Sequence, residues 1–202
     1  MDKQLLIEMA LFTPTRSYLN ESMGGSNKMI VEGLIQKAET KNGNGRIYPY
    51  EVLKREADKY LAGPVKERRA LGELDHPDSP VINLKNVSHN VVELWWKGKD
   101  LYGKIEVLPT PSGNILKELF KSGIKLGISS RGLGSVRQLG EGTVEVGDDF
   151  ELIAFDFVSN PSTQGAFLHP TSNINESVNR NTVVNKYDKV NRLITDILTD
   201  IK

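Results

Sequence analysis

The sequence predicts an α+β fold: a mostly antiparallel, β-barrel-like core carrying a few helices. Three observations support this. Short apolar-alternating segments recur through residues 28–170, and Gly, Asn and Asp clusters punctuate them at hairpin spacing. Helical signals are confined to two or three segments. Those segments do not alternate with strands in the βαβ rhythm of a parallel sheet.

Residues 1–27 open with an amphipathic stretch, Leu5–Phe12, interrupted by Glu8, and end in the loop composition Met23-Gly24-Gly25-Ser26-Asn27. This zone reads as an N-terminal arm. With no basic leader and an acid inside its apolar run, it is a poor match to a signal peptide. Met29–Gln36 then reads as a strand and Lys41-Asn42-Gly43-Asn44-Gly45 as a turn. Pro49 suits the first turn of a helix through Leu61, stopped at Gly63-Pro64. Asn86–Trp96 and Leu101–Leu108, joined across Lys97-Gly98-Lys99-Asp100, form the clearest hairpin. In the paired Trp95-Trp96, one ring should be buried and the other should face outward.

Ser112 can cap a helix through Phe120, closed at Gly123. Ile124–Arg137 and Phe150–Val158 read as strands flanking a hairpin near Gly140-Glu141-Gly142. Residues 171–185 have linker chemistry. Beyond them Tyr187, Val190, Ile194, Ile197 and Ile201 mark an amphipathic helix. The expected organisation is an arm (1–27), a main domain (28–170), and a linker with a C-terminal helix (171–202).

Composition narrows the function. Lys+Arg and Asp+Glu are both 26, so a nucleic-acid partner is not expected. Cysteine is absent, which excludes disulfides, a thiol nucleophile and a cysteine-ligated metal. No apolar run reaches the length of a membrane span. Apolar residues make up 38%, consistent with one folded, soluble domain bearing polar ends.

Two segments concentrate the chemistry: Gly72-Glu73-Leu74-Asp75-His76-Pro77 and Gly127-Ile128-Ser129-Ser130-Arg131-Gly132-Leu133-Gly134. A serine becomes nucleophilic when a base within hydrogen-bond reach accepts its proton. Among three histidines (His76, His89, His169), His76 closes a short strand and is the first choice for that base. Its alternative is an ordinary backbone hydrogen bond. Glu73 and Asp75 beside it do not make a metal site, because strand neighbours point to opposite faces. No metal or cofactor is expected.

Alternation puts Ser130 on the face of Leu126 and Ile128, and Ser129 on the face of Gly127 and Arg131. Ser129 is therefore the favoured nucleophile and Ser130 the alternative. Arg131 would be a cation near a developing oxyanion. Glycines 127, 132 and 134 should leave room for an extended peptide. Asp156, alone among apolar residues in Leu152–Val158, is either the third catalytic member or a structural partner of a backbone turn or an arginine. His89 reads as structural, and His169 is a reserve third member. Arg46, in the loop Asn44–Pro49, is either a substrate contact or part of an ordinary turn.

Asn44–Pro49 (NGRIYP), Ala70–Pro77 (ALGELDHP), Leu94–Gly103 (LWWKGKDLYG) and Gly127–Ser135 (GISSRGLGS), taken together and in this order, resemble the prohead core proteases of T-even-like tailed bacteriophages. That family resembles the herpesvirus maturation proteases (assemblins), which use a β-barrel fold with His before Ser. The resemblance implies a serine endopeptidase inside the prohead in the host cytoplasm. It would cleave scaffold or core proteins, the major capsid protein and itself, with a homo-oligomeric assembly expected. The other reading is a non-catalytic core or scaffold component keeping the same fold.

Carried over, His76 is the histidine and the nucleophile lies in Ser129-Ser130; the S-x-G pattern of related proteases fits Ser130-Arg131-Gly132. Assemblins place a histidine about twenty-five residues after the serine, where this chain has Asp156. The family prefers glutamate before the scissile bond. A carboxylate receptor needs a well-placed cation, and Arg46 and Arg131 are the candidates. Apolar-x-Glu-small matches at Leu19-Asn20-Glu21-Ser22 and Ile174-Asn175-Glu176-Ser177 are expected self-cleavage sites. Ile30-Val31-Glu32-Gly33 and Leu139-Gly140-Glu141-Gly142 also match.

Overall fold

The computed structural model describes residues 3–11, 14–20, 28–75 and 77–159, with the backbone alone for 9–11 and 14–20. Alternating burial along β3 (Lys28–Lys37), with Met29, Val31 and Ile35 inward, builds the centre of the larger sheet. β3 pairs antiparallel with β7 (Asp100–Val107), and β7 pairs in turn with β6 (Val87–Lys97). The β6–β7 hairpin is the one expected. Gly98 supplies the left-handed φ of 61° that its two-residue turn requires. β2 (Pro14–Asn20) and β5 (Leu71–Glu73) complete the order β2-β3-β7-β6-β5.

A second sheet has the order β1-β8-β11, from Gln4–Leu11, Gly127–Gly134 and Glu151–Val158. A third, β4-β10-β9, is formed by Arg46–Ile47, Thr143–Val146 and Val136–Gly140. The fold is thus α+β and mostly antiparallel, but among the described residues its sheets do not close into a barrel. Residues 1–27 supply two strands to these sheets, β1 on β8 and β2 on β3. The linker and C-terminal helix of residues 171–202 lie outside the described residues.

α1 (Tyr50–Tyr60) starts after Pro49 as expected. The α-helix ends at Tyr60, but helical backbone runs on through Gly63-Pro64. Proline has no N–H for the usual bond four residues back. The backbone widens into a π-helical turn, Leu61–Val65, in which Lys66 N donates to Leu61 O at 3.2 Å. α2 (Pro111–Lys121) is capped by Thr110, not Ser112. Thr110 Oγ1 accepts from Gly113 N at 3.0 Å, with Pro111 in the first turn.

The expected strand 124–137 is divided at Ser135. The Ser135 backbone N–H and hydroxyl both donate to Asp149 Oδ1, at 2.9 and 2.8 Å, which diverts the backbone between β8 and β9. Both tryptophans are half-buried: Trp95 stacks on Tyr102 and Trp96 meets Tyr50 edge-on.

The main core lies between the five-stranded sheet, the β8–β11 pair and the two helices. Val31, Val91, Ile105, Leu116, Ile128, Phe155 and Phe157 meet there. His89 is packed into this core from β6. Its Nε2 lies 2.9 Å from Phe155 O, its Nδ1 lies 2.8 Å from the Ser88 hydroxyl, and its ring meets Phe157 edge-on. The carbonyl partner fixes the proton on Nε2, so Nδ1 accepts from Ser88. Gly72 is what lets β5 approach: a Cβ there would sit 2.1 Å from Phe155 O and 2.2 Å from His89 Nε2.

Burial lowers the His89 pKa from 6.5 to about 4, against the raising effects of Asp156 and the Phe155 carbonyl. The unfolded chain therefore takes up this proton below about pH 6.5, and the folded chain only below about 4. Stability attributable to His89 is full above the upper value and declines as pH falls through this window, by about 3 kcal/mol in all. Urea titrations at pH 7 and pH 4.5 should show a smaller pH effect in His89→Gln than in the parent chain; identical differences would refute it.

Candidate active site

β8 carries both serines and is covered along both edges. Ser129 lies opposite Met9 on β1 and Asp156 on β11; Ser130 lies opposite Glu8 and Phe155. Pleating therefore places Ser129, Arg131 and Asp156 on one face, and Ser130, Ile128 and Phe155 on the other. The two faces separate as the sequence implies, yet neither serine is open: Ser129 is 0% and Ser130 2% exposed. Both hydroxyls lack a hydrogen-bond partner among the described residues. A buried hydroxyl left unpaired costs about 1–3 kcal/mol.

The space beside Gly132 and Gly134 is filled from within the chain, not left for a peptide. A Cβ on Gly132 would stand 2.3 Å from the Phe150 ring, and one on Gly134 3.1 Å from Phe150 Cα.

On the Ser129 face, Arg131 is fully buried. Its Nη1 donates to Ser79 O at 2.7 Å, and its Nη2 to Glu73 Oε1 at 3.0 Å and Asp156 Oδ1 at 3.2 Å. Nε stands 3.0 Å from Asp156 Oδ2. The guanidinium thus joins β5, β8, β11 and the loop after β5. Asp156 Oδ1 also accepts from Glu73 N at 2.9 Å, and Glu73 Oε1 accepts from Asn83 N at 3.0 Å. Arg131 has no surface role, and its fork is already occupied by two protein carboxylates. Glu73 was set aside in the sequence because its neighbours on the strand face away from it. Its partners come from β8 and from the loop at Asn83, which sequence spacing does not reveal.

His76 lies outside the described residues, as do His169, Glu21, Ser22, Glu176 and Ser177. The chain leading to position 76 is well placed. Leu74 bridges Phe157 in parallel sense, and Asp75, at a left-handed φ of 67°, donates its N–H to Phe157 O at 2.8 Å. Phe157 is the neighbour of Asp156, whose cross-strand partner is Ser129. Tyr60 packs edge-on against Phe155 at 5.8 Å; burial, reinforced by Asp156, pushes its hydroxyl pKa up.

The Ser130 face holds a second polar group. Glu8, 4% exposed, accepts from Arg46 Nη1 and Tyr48 OH, both at 2.9 Å on Oε1. Its Oε2 accepts from Asn44 Nδ2 at 3.1 Å and from Asn42 Nδ2. Burial, with Glu8 as the next cause, pushes the Tyr48 pKa well above its usual value and keeps it a donor. The loop arginine thus contacts a glutamate of its own chain.

The α+β fold is shared with a phage protease of capsid assembly. The chain belongs to the prohead core protein serine protease family, whose pattern matches residues 6–179. It is 33% identical over 157 residues to the prohead core protein protease of Enterobacteria phage T4, covering 76% of this chain and 74% of that protein. The solved structure of the bacteriophage T4 capsid assembly protease superposes with a TM-score of 0.74 at 32% identity. The match covers 79% of this chain and 99% of that one.

Removing the cation should expose how much this cluster matters. Arg131→Met leaves Glu73 and Asp156 buried without their partner and should lose about 3–5 kcal/mol in urea unfolding. Arg131→Lys should recover only part of this, because an ammonium lacks the planar fork. A Met variant within 1 kcal/mol of the parent, by this measure, would exclude a structural role for the cluster.

Proposed function

We propose that this chain is the maturation peptidase of a T4-like phage prohead, a serine endopeptidase acting inside the particle on core or scaffold proteins and the major capsid protein. Family membership and the printed roles of the T4 relatives, prohead core and capsid assembly, support the setting. The observation that carries the chemistry is the register: Ser129 lies directly opposite Asp156, and Phe157, the next residue on β11, ties down the backbone leading to His76.

In this reading His76 takes the Ser129 Oγ proton as Oγ bonds to the scissile carbonyl carbon. Collapse of the tetrahedral adduct breaks the C–N bond, with His76 returning the proton to the leaving amine. Water, activated in the same way, releases the acyl group and regenerates the serine. Two carboxylates, Glu73 and Asp156, face one guanidinium. They leave formally one negative charge in excess, which would stabilise an imidazolium formed at position 76. Arg131 then acts as a positioning residue that holds Asp156 beside Ser129.

Cleavage after glutamate is inferred from the family resemblance, as is self-trimming at Glu21–Ser22 and Glu176–Ser177. Of the other two matches, Glu32 lies within β3, locked in a sheet interior, whereas Glu141 sits at the β9–β10 turn. A cut at Glu21 would detach β1 and β2 covalently from the rest of the domain.

A fluorophosphonate probe should label the purified chain at Ser129. Ser129→Ala and His76→Ala should each lower turnover by about 10⁴-fold or more, with the double variant little worse than either. Full activity in Ser129→Ala together with a dead Ser130→Ala would assign the nucleophile to the other face. Intact-mass analysis should find active protein trimmed to residues 22–176, and the Ser129→Ala, Ser130→Ala chain untrimmed. Identical trimming in both would exclude self-processing.

A further inference from the structure

Leu84 and Val81, at 72% and 71%, are the most exposed large apolar side chains among the described residues. A single exposed aliphatic needs no explanation, but these two share one short loop beside the candidate active site. The loop, residues 77–86, follows β5 and closes on itself: Leu74 N donates to Asn86 O at 3.0 Å. Its own polar groups brace it, as in other compact loops with adjacent ends. Val81 N donates to Ser79 Oγ at 3.1 Å, Lys85 N to Asn83 Oδ1 at 3.1 Å, and Asn86 N to Asn83 O at 2.9 Å.

Two further bonds fasten the loop to the buried charge cluster. Arg131 Nη1 donates to Ser79 O at 2.7 Å, and Asn83 N donates to Glu73 Oε1 at 3.0 Å. Arg131 and Glu73 are both fully buried, so Ser79 and Asn83 are fixed to the frame that holds Ser129 and Asp156. Each anchor is followed closely by an aliphatic, Ser79 by Val81 and Asn83 by Leu84. Apolar side chains held in water on an anchored loop gain free energy when a second apolar surface covers them. Because the loop is already fixed, little of its freedom is lost in that contact, which leaves more of the gain as affinity.

The register says which part of a peptide would supply the cover. Both strands that flank β8 run antiparallel to it. A peptide lying along β8 in the same sense has its N-terminal residues toward Arg131 and Gly134, and its C-terminal residues toward Gly127. Arg131 is two residues from Ser129 on the same face. The loop that it fastens therefore stands on the N-terminal side of a scissile bond at Ser129.

We propose that Val81 and Leu84 are specificity-determining residues that receive an apolar side chain of the substrate, N-terminal to the scissile bond. The proposal rests on the peptidase reading above and names what that site selects. The chain's own residues 171–181 have the matching chemistry, with Ile174 and Val178 standing alone in polar sequence and Ile174 on the N-terminal side of Glu176.

The test uses the full chain with Ser129 and Ser130 replaced by alanine, so that nothing is cleaved. The probes are a fluorescein-labelled peptide with the sequence of residues 171–181 and two analogues, one with serine for its isoleucine and one with serine for its valine. On the intact loop, losing the isoleucine should weaken binding by about tenfold or more. In the chain that also carries Val81→Ser and Leu84→Ser, the parent peptide should bind as weakly as that analogue, and the analogue should lose nothing further. Replacing the valine should have the same effect on both chains. Both loop positions are exposed, so the urea midpoint should not move. Equal losses for all three peptides, no loss for any, coupling to the valine instead of the isoleucine, or no binding of the parent peptide at millimolar concentration overturns the proposal.

Peptide binding needs no nucleophile, so the two readings fail separately. A chain that selects the isoleucine as expected but, with its serines restored, refuses fluorophosphonate keeps the apolar subsite and loses the peptidase. A chain that is labelled but shows no coupling keeps the peptidase and loses the subsite.

Discussion

The buried guanidinium of Arg131 is the constraint on which the candidate site depends. An arginine removed from water is tolerated only when its donors find well-placed acceptors. Here those acceptors come from Glu73 on β5, Asp156 on β11 and the Ser79 carbonyl in the loop after β5. Because the fork is planar and rigid, it fixes the relative positions of three strands, not just of two side chains. One of those strands carries the serines, one carries the acid facing Ser129, and the third leads directly into position 76. A buried cluster of this kind is weak evidence for net stability, and its contribution is better described as specification of one geometry.

β8 has polar clusters on both faces, which is unusual for the interior strand of a sheet. The Arg131 cluster occupies the Ser129 face, and the Glu8 cluster lies beyond the Ser130 face. Adjacent serines therefore look into different environments, and the register of β8 against β1 and β11 decides which environment each meets. A slip of one residue would exchange them. The glycines of β8 help to hold that register, because Phe150 packs where Gly132 and Gly134 have no side chain. The cover this produces leaves both hydroxyls buried.

Much of the fold was legible because local chemistry and tertiary structure agree. The β6–β7 hairpin, the β3 alternation and the start of α1 follow from turn residues and periodicity alone. The errors fall where a distant partner overrides a local signal. Ser112 yielded the cap to Thr110, whose Oγ1 also reaches Val87 O at 2.5 Å across the fold. The strand after Ile124 broke at Ser135 because Asp149 captures its N–H and hydroxyl. The partner of Arg46 is likewise distant: its guanidinium meets Glu8, thirty-eight residues away in sequence.

What the sequence by itself determined was a set of candidate residues and their order: a histidine after a short strand, paired serines in a glycine-rich strand, and a lone acid in an apolar one. Those are one-dimensional facts about residue type and alternation. The same rule that singled out Asp156, that an acid inside an apolar strand requires a partner, applies equally to Glu8, where it was read only as an interruption. Only the tertiary structure decided who those partners are. Arg131 and Glu73, or Arg46 and Glu8, become neighbours through strand register and sheet order, which are set by the packing of the whole core. No pattern along the chain encodes a pairing whose energy depends on burial that exists only once the chain has folded.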